Sequence, residues 1–424
     1  MTTPSFNKVI IVAPYWRNPQ HVGVYRVERF VRWLSGEGAE VVLVRAGRRD
    51  RAIKTSFGLE IEICDPLGRS WDAEPDIYAE TRKKALRLGF SSIAKWCFNP
   101  DPAVVWAKRA ASHPLVLVNA KGADLVLASS PPESVHVAAA LLAARLKLSL
   151  IVDMRDGWLD EPLKEYLGNT PLLRWWEGRL EKRILRQARQ IFVTSDVWQE
   201  MLAKRLPFTE AKTTVLTNCY PQSIPAVESI PQLLPQSEKF TLLHAGSFTN
   251  SKFNNRPGLL LERLWEGLHG VGETFQVVLQ GQLSAEDLAD IESWREKFEA
   301  KGAAIILRPP VTRDHLLLQL QAAGGLLLLS ATRASILAKI FEYIPSRRPI
   351  LAITFRDSSV WRLAKIVPQL FVVDIEDRIN SHSVIGKFIA ASITNRFDSV
   401  VPAKFSEEHN RLIFLEHIKS SIGI

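Results

Sequence analysis

The chain has 424 residues, 46% of them apolar and 23% charged, with a formal net charge of +9. That length exceeds what one hydrophobic core organises, so two domains are expected, and the ordinary apolar and charged fractions exclude a disordered or fibrous chain. The charge is lopsided: residues 1–224 hold 32 Lys and Arg against 24 Asp and Glu, the remainder 22 against 21, so an anionic partner is expected at the N-terminal half.

The short apolar run Lys8–Ala13 predicts a strand, Val24–Leu34 a helix and Glu40–Val44 a second strand. Further strands are expected at Leu115–Val118, Asp124–Ala128, Leu150–Asp153 and Gln190–Thr194, with helices over Ser134–Leu146 and Leu172–Arg189. Leu172, Trp176, Leu180 and Ile184 recur every four residues, which predicts a core-facing stripe on a helix otherwise rich in arginine. The Pro-, Ser- and Gln-rich stretch from Pro221 to Pro235 predicts a linker. A new series of strands follows at Phe240–His244, Phe275–Gln280, Ala304–Leu307, Gly325–Ser330, Ile350–Thr354 and Leu370–Val373. Strands alternating with helices in both halves predict an α/β chain of two doubly wound, Rossmann-like domains, over residues 1–224 and 236–404, with a helix over 405–424 returning to the first. Ligands of such sheets bind beyond the carboxyl ends of the strands, so the site is expected in a cleft between the facing domains.

Three scattered cysteines, Cys64, Cys97 and Cys219, make neither a disulfide framework nor a zinc set, and a cytoplasmic location is expected. The longest apolar stretch, around Gly324–Ala331, is far shorter than the roughly 20 residues that cross a bilayer. No His, Asp and Glu set has metal-ligand spacing, so neither a metal nor another cofactor is expected. The loop around Gly23 lacks the three spaced glycines of a dinucleotide fold, which removes the best support for a dehydrogenase. No recognised nucleic-acid reader is present.

Five segments carry the chemistry. Ser335-Ile-Leu-Ala-Lys339-Ile-Phe-Glu342-Tyr343 runs on to Pro349-Ile-Leu-Ala, between two predicted strands. Leu242-Leu-His244-Ala-Gly246-Ser247 ends a strand and is followed by Lys252, with Arg256 a second basic candidate. His21-Val-Gly23 opens the first helix, and Ser129-Ser130-Pro-Pro-Glu-Ser134-Val-His136 and Asp153-Met-Arg155-Asp156 each close a strand of the first half.

Together these resemble the retaining family 4 glycosyltransferases of the GT-B fold, of the kind found in bacterial surface-polysaccharide pathways. The resemblance implies transfer of a sugar from a nucleotide-sugar donor, UDP- or GDP-linked, to a glycan or lipid-linked acceptor. It implies that Glu342 holds the ribose hydroxyls, and that Gly23, Gly246, Ser247, Lys252, Ser335, Ile336 and Lys339 bind the donor. Lys252 would meet the charge that develops on the leaving diphosphate, and His136 would stand near the sugar. His21, Ser130, Asp153, Arg155 and Asp156 would line the acceptor side, with an internal ion-pair network the other reading of Asp153, Arg155 and Asp156. The family's first acidic donor residue is replaced by Ala334 or Ser335, where backbone amides would have to substitute for it. Two further readings stay open: a sugar-nucleotide epimerase of the same fold, and a non-catalytic subunit that binds a glycan or a partner. The basic N-terminal half, including Arg82–Trp96, suggests peripheral contact with the anionic inner face of a membrane.

Overall fold

In the computed structural model, residues 6–18, 23–69, 71, 98–161, 170–220, 240–248, 255–267, 275–377, 381–394 and 401–423 are described. The chain divides into two units, Met1–Leu216 with Arg411–Ile424, and Thr217–Asn410. His21, Lys252, all of the Pro221–Pro235 stretch and Arg82–Trp96 lie outside the described residues.

The first unit is built on β1 (Lys8–Val12), β2 (Glu40–Gly47), β3 (Arg51–Thr55), β4 (Gly58–Cys64), β5 (Leu125–Ser130), β6 (Ser149–Met154), β7 (Gln190–Val193) and β8 (Thr213–Val215). They form one sheet in the order β3-β4-β2-β1-β5-β6-β7-β8, parallel except where β3 meets β4. The central strands are near-continuous apolar runs because helices cover both faces of a parallel sheet. The helix Gly23–Gly36 buries Val24, Val27, Phe30, Val31 and Leu34, the spacing of one helical face. Phe30 stacks on Phe414 from the helix Glu407–Ser421, at 4.6 Å between ring centroids, which fastens the end of the chain to this unit.

Two expectations change here. Leu115–Val118 is helical, within Pro114–Asn119, because Pro114 occupies the first turn and the His113 side chain accepts the amide of Leu115. In the helix Pro171–Gln187 the buried face is Leu173, Glu177, Glu181, Ile184 and Leu185, whereas Leu172, Trp175 and Trp176 are each about half exposed. The two carboxylates can turn inward because Trp158 Nε1 donates to Glu177 at 2.9 Å and Arg205 pairs with Glu181 at 2.6 Å.

The second unit contains β9 (Phe240–Ala245), β10 (Phe275–Gln280), β11 (Ala304–Arg308), β12 (Gly325–Ser330), β13 (Ile350–Thr354) and β14 (Leu370–Asp374). All are parallel, in the order β11-β10-β9-β12-β13-β14. Numbered within the unit this is 3-2-1-4-5-6, the doubly wound order, with its switch point between β9 and β12.

Candidate active site

At that switch point the two strands separate. β9 and β12 pair only at Leu242 with Gly325 and Leu243 with Leu326. Beyond them side chains take over the ladder. His244 Nδ1 lies 3.0 Å from the carbonyl of Leu327, while the amide of Ala245 donates to the Tyr343 hydroxyl at 2.8 Å and that hydroxyl donates to Leu327 at 3.4 Å. Since a carbonyl only accepts, Nδ1 of His244 carries the proton and Nε2 is left as an acceptor. The short helix Ile340–Tyr343 is thus tied directly to the opened carboxyl end of the sheet.

Lys339 sits immediately before this helix, its Nζ 3.4 Å from His244 Nε2 and 3.5 Å from the carbonyl of Ser247. Burial of the ammonium lowers its pKa to about 8, partly opposed by the nearby Glu342. His244 is held well below its ordinary value by burial first and by Lys339 second, so it is neutral and its Nε2 accepts a hydrogen bond from the lysine. Gly246 has φ of 99°, and a Cβ there would come within 3.0 Å of Lys339 Nζ. A Cβ on Gly281 would approach the backbone of Gly246 to 2.7 Å, so the loops after β9 and β10 meet backbone to backbone.

Glu342 accepts from Arg313 Nε at 3.0 Å, a partner 29 residues away that the sequence reading did not include. Ser335 and Ile336 are not at a helix start. They belong to the non-helical stretch before Ile340, pinned by Ser359, whose hydroxyl donates to Ala334 and whose amide donates to Arg333. Asn255 accepts the amide of Ala331 at 2.8 Å and fixes the start of the same stretch. Around it lie polar side chains without partners among the described residues. Gln280 at the end of β10, Ser330 at the end of β12, Thr332 and Ser335 are all buried, and their side-chain polar atoms have no hydrogen-bond partner among the described residues. Buried groups of this kind are rare in a finished core and mark a place that a polar ligand or water completes.

In the first unit the corresponding edge is ordered by ion pairs. Asp153 is fully buried, gripped by Arg26 Nε and Nη2 at 2.9 and 2.6 Å and by the Ser129 hydroxyl at 2.6 Å. Arg155 Nε donates to the carbonyl of Ser130 at 2.7 Å and Nη2 to that of Pro131 at 2.9 Å, with the guanidinium over the Tyr15 ring. Gly23 lies against that guanidinium, where an added Cβ would be 1.9 Å from Nη1. Asp156 is partly exposed on the same turn. His136 is fully buried, its ring centroid 5.7 Å from that of Trp158, neither ring nitrogen has a hydrogen-bond partner among the described residues, and burial lowers its pKa to about 3. The structure therefore groups Gly246, Ser247, Lys339, Ser335, Ile336 and Glu342 in one unit, and Gly23, Ser130, His136, Asp153, Arg155 and Asp156 in the other.

Residues 23–219 match the glycosyl transferase 4-like domain family. No curated protein sequence matches the chain. Among solved structures, sucrose-phosphate synthase from Thermosynechococcus elongatus is similar at 13% identity, with 98% of each chain covered and a TM-score of 0.65. Anabaena HepE, solved with UDP-glucose, is 13% identical over 97% of this chain and 99% of its own, with a TM-score of 0.62. An α,α-trehalose-phosphate synthase from Burkholderia xenovorans, solved with glucose-6-phosphate, gives 12%, 97%, 100% and 0.63. At these identities the likeness establishes a shared fold, with both units matched throughout.

Proposed function

From a chain that has the GT-B fold and carries a glycosyl transferase 4-like domain over residues 23–219, we infer a glycosyltransferase that takes its sugar from a nucleotide-sugar donor, UDP- or GDP-linked. The observation that carries this reading is the group of buried, unpartnered polar side chains of Gln280, Ser330, Thr332 and Ser335 at the switch point of the second unit, beside Lys339 and Glu342. A sugar with several hydroxyls supplies the partners those atoms lack. A diphosphate supplies the anion for a desolvated ammonium, and a ribose supplies two donors for a carboxylate already oriented by Arg313.

Lys339 is the cation beside His244 and Ser247 at this site. Its proton and charge would offset the negative charge that grows on the diphosphate as the glycosidic phosphate bond breaks, with Lys252 assigned the same task. With two lysines in that role the transfer needs no divalent cation, and activity persists in EDTA. Retention, and a place in surface-polysaccharide synthesis in the cytoplasm, rest on the resemblance of the five segments above. Ser130, Asp153, Arg155, Asp156 and His21 are assigned to the acceptor side, Gly23 to the donor, and His136 to positioning near the sugar. The acceptor is read as a glycan or a lipid-linked sugar. Contact with an anionic membrane is assigned to the helix Pro171–Gln187. Its exposed Leu172, Trp175 and Trp176 stand among Arg174, Arg179, Lys182, Arg183 and Arg186. Flotation with anionic vesicles, lost on replacing both tryptophans by alanine, checks that contact.

A thermal-shift panel of UDP-, GDP-, ADP- and CMP-sugars on the wild type and on Glu342→Ala tests the donor site. The wild type should be stabilised by one nucleotide class and the variant should lose most of that response. An equal response in both proteins would overturn the assignment of Glu342.

A further inference from the structure

The first unit carries a second arrangement of charge that none of the residues above accounts for. Arg45 on β2, Glu62 on β4 and Arg51 on β3 are register partners across three neighbouring strands. Arg45 Nη2 donates to Glu62 at 2.8 Å, Arg51 Nε donates to the same carboxylate at 2.7 Å, and Arg45 Nε donates to Glu60 at 2.6 Å. The loop after β2 closes over the row. The amides of Arg48 and Arg49 donate to Glu62 Oε1 at 2.9 and 3.2 Å, and Gly47 is required beneath them because a Cβ there would lie 2.2 Å from that oxygen. Arg17 pairs with Glu60 from the loop after β1. Between these groups is an open hollow of about 380 Å³ lined by Arg45, Arg48, Arg49, Arg51 and Glu62.

The acids here are already used. Glu62 meets four donors, Glu60 meets two guanidiniums, and Asp50 accepts from Cys64 and from Arg109 at 2.6 Å. Burial raises the pKa of all three, yet the hydrogen bonds and nearby arginines outweigh it and leave each lowered, so all are ionised at neutral pH. Six guanidiniums thus face three carboxylates, and the side chains of Arg48 and Arg49 have no carboxylate partner among the described residues. A hollow lined by planar N–H forks, with a surplus of positive charge at the carboxyl edge of a parallel sheet, suits a multiply charged oxyanion far better than a neutral sugar or a single carboxylate.

We propose that this hollow binds a phosphoryl group, as a monoester or a diphosphate. On the reading of the protein as a glycosyltransferase, which the word acceptor rests on, the group belongs to the acceptor and makes it a phosphorylated or diphosphate-linked sugar. Arg48 and Arg49 make the direct contacts, and Glu62 is a positioning residue that holds both of their backbones and both flanking guanidiniums in place.

The test is calorimetric titration of the full chain, its donor site held filled by saturating UDP or GDP, with inorganic pyrophosphate and, separately, with glucose 6-phosphate, in the wild type and in an Arg48→Ala/Arg49→Ala double variant. Both side chains are exposed, so the variant should keep the wild-type melting temperature. The wild type should bind pyrophosphate saturably with unit stoichiometry, and the variant should bind it about tenfold or more weakly, the loss of at least one charge-assisted contact. Competition by glucose 6-phosphate identifies a soluble phosphorylated acceptor, whereas competition only by phosphatidylglycerol vesicles identifies a membrane phosphate. Non-saturating binding in the wild type, or equal affinity in both proteins, would overturn the proposal. The donor reading is scored apart from it: a UDP response that Glu342→Ala abolishes and the double variant keeps leaves the donor site standing whatever pyrophosphate does.

Discussion

The hydroxyl of Tyr343 takes the place of a strand partner for Ala245, accepting its amide at 2.8 Å where β9 and β12 have already parted. The ring is fully buried, so no water can replace it. Tyr343→Phe leaves a buried N–H without a partner, which costs about 1–3 kcal/mol. We expect that loss in the urea unfolding transition, together with weaker donor binding, because the end of β9 also carries Gly246 and Ser247. A phenylalanine variant with wild-type stability would mean that the amide finds another acceptor.

Lys339 gives the site a pH dependence with a defined sign. Its ordinary pKa of 10.5 falls to about 8 in the folded protein, so between those values the unfolded chain holds a proton that the native one has released. Stability therefore rises with pH across that window, and the cost of the buried ammonium is present in full below about 8. Diphosphate binding runs the other way. It needs the charged form, so UDP affinity should fall as pH climbs above about 8, approaching a tenfold loss per unit. Lys339→Met should bind UDP weakly and without that slope. A parallel slope in the variant would assign the titration to another group.

His136 acts on the acid side. Burial holds it at about 3 against an ordinary 6.5, so as pH drops below 6.5 the unfolded chain takes up a proton that the native imidazole refuses. Stability should decline there by up to about 1.4 kcal/mol per pH unit from this residue alone. His136→Phe should flatten that acid limb. If transfer at neutral pH survives in the same variant, the histidine is part of the core; if transfer collapses while the fold holds, the role near the sugar stands.

The frame of the fold was legible because parallel strands buried on both faces are apolar runs, as in Gly325–Ser330 and Ile350–Thr354, found at the expected residues. Leu115–Val118 has the same composition, and only Pro114 and His113 before it mark a helix. β4 was passed over although Leu59, Ile61 and Ile63 alternate with Glu60 and Glu62. The alternation was visible, but its meaning depended on arginines from two neighbouring strands and a preceding loop. In the candidate site, the segment Lys339–Tyr343 could be picked out from its residues. That Glu342 would meet Arg313, or Lys339 the Nε2 of His244, could not, since both contacts join elements far apart in the chain. The helix Pro171–Gln187 misled for a related reason: two carboxylates point inward at bonding partners, which turns its tryptophans out.

Gly23 has two competing explanations, and a double-mutant cycle separates them. One is that its amide approaches a ligand phosphate at the start of the helix; the other is that the Arg155 guanidinium needs the space, since a Cβ would sit 1.9 Å from Nη1 and 2.4 Å from Cζ. Alanine is otherwise the better helix former by up to about 1 kcal/mol. In Gly23→Ala the guanidinium must move and release the carbonyls of Ser130 and Pro131, so overpacking and lost bonds should outweigh that gain and destabilise the fold by about 1–2 kcal/mol. With Arg155→Ala in place the space is open, and the same substitution should become neutral or stabilising. The two sites are in contact, so a coupling of about 1–3 kcal/mol is expected. A steric role predicts that coupling in stability, with Gly23→Ala harmless to transfer once Arg155 is gone. If instead Gly23→Ala depresses transfer equally in both backgrounds while the stabilities simply add, the glycine serves the ligand and not the arginine.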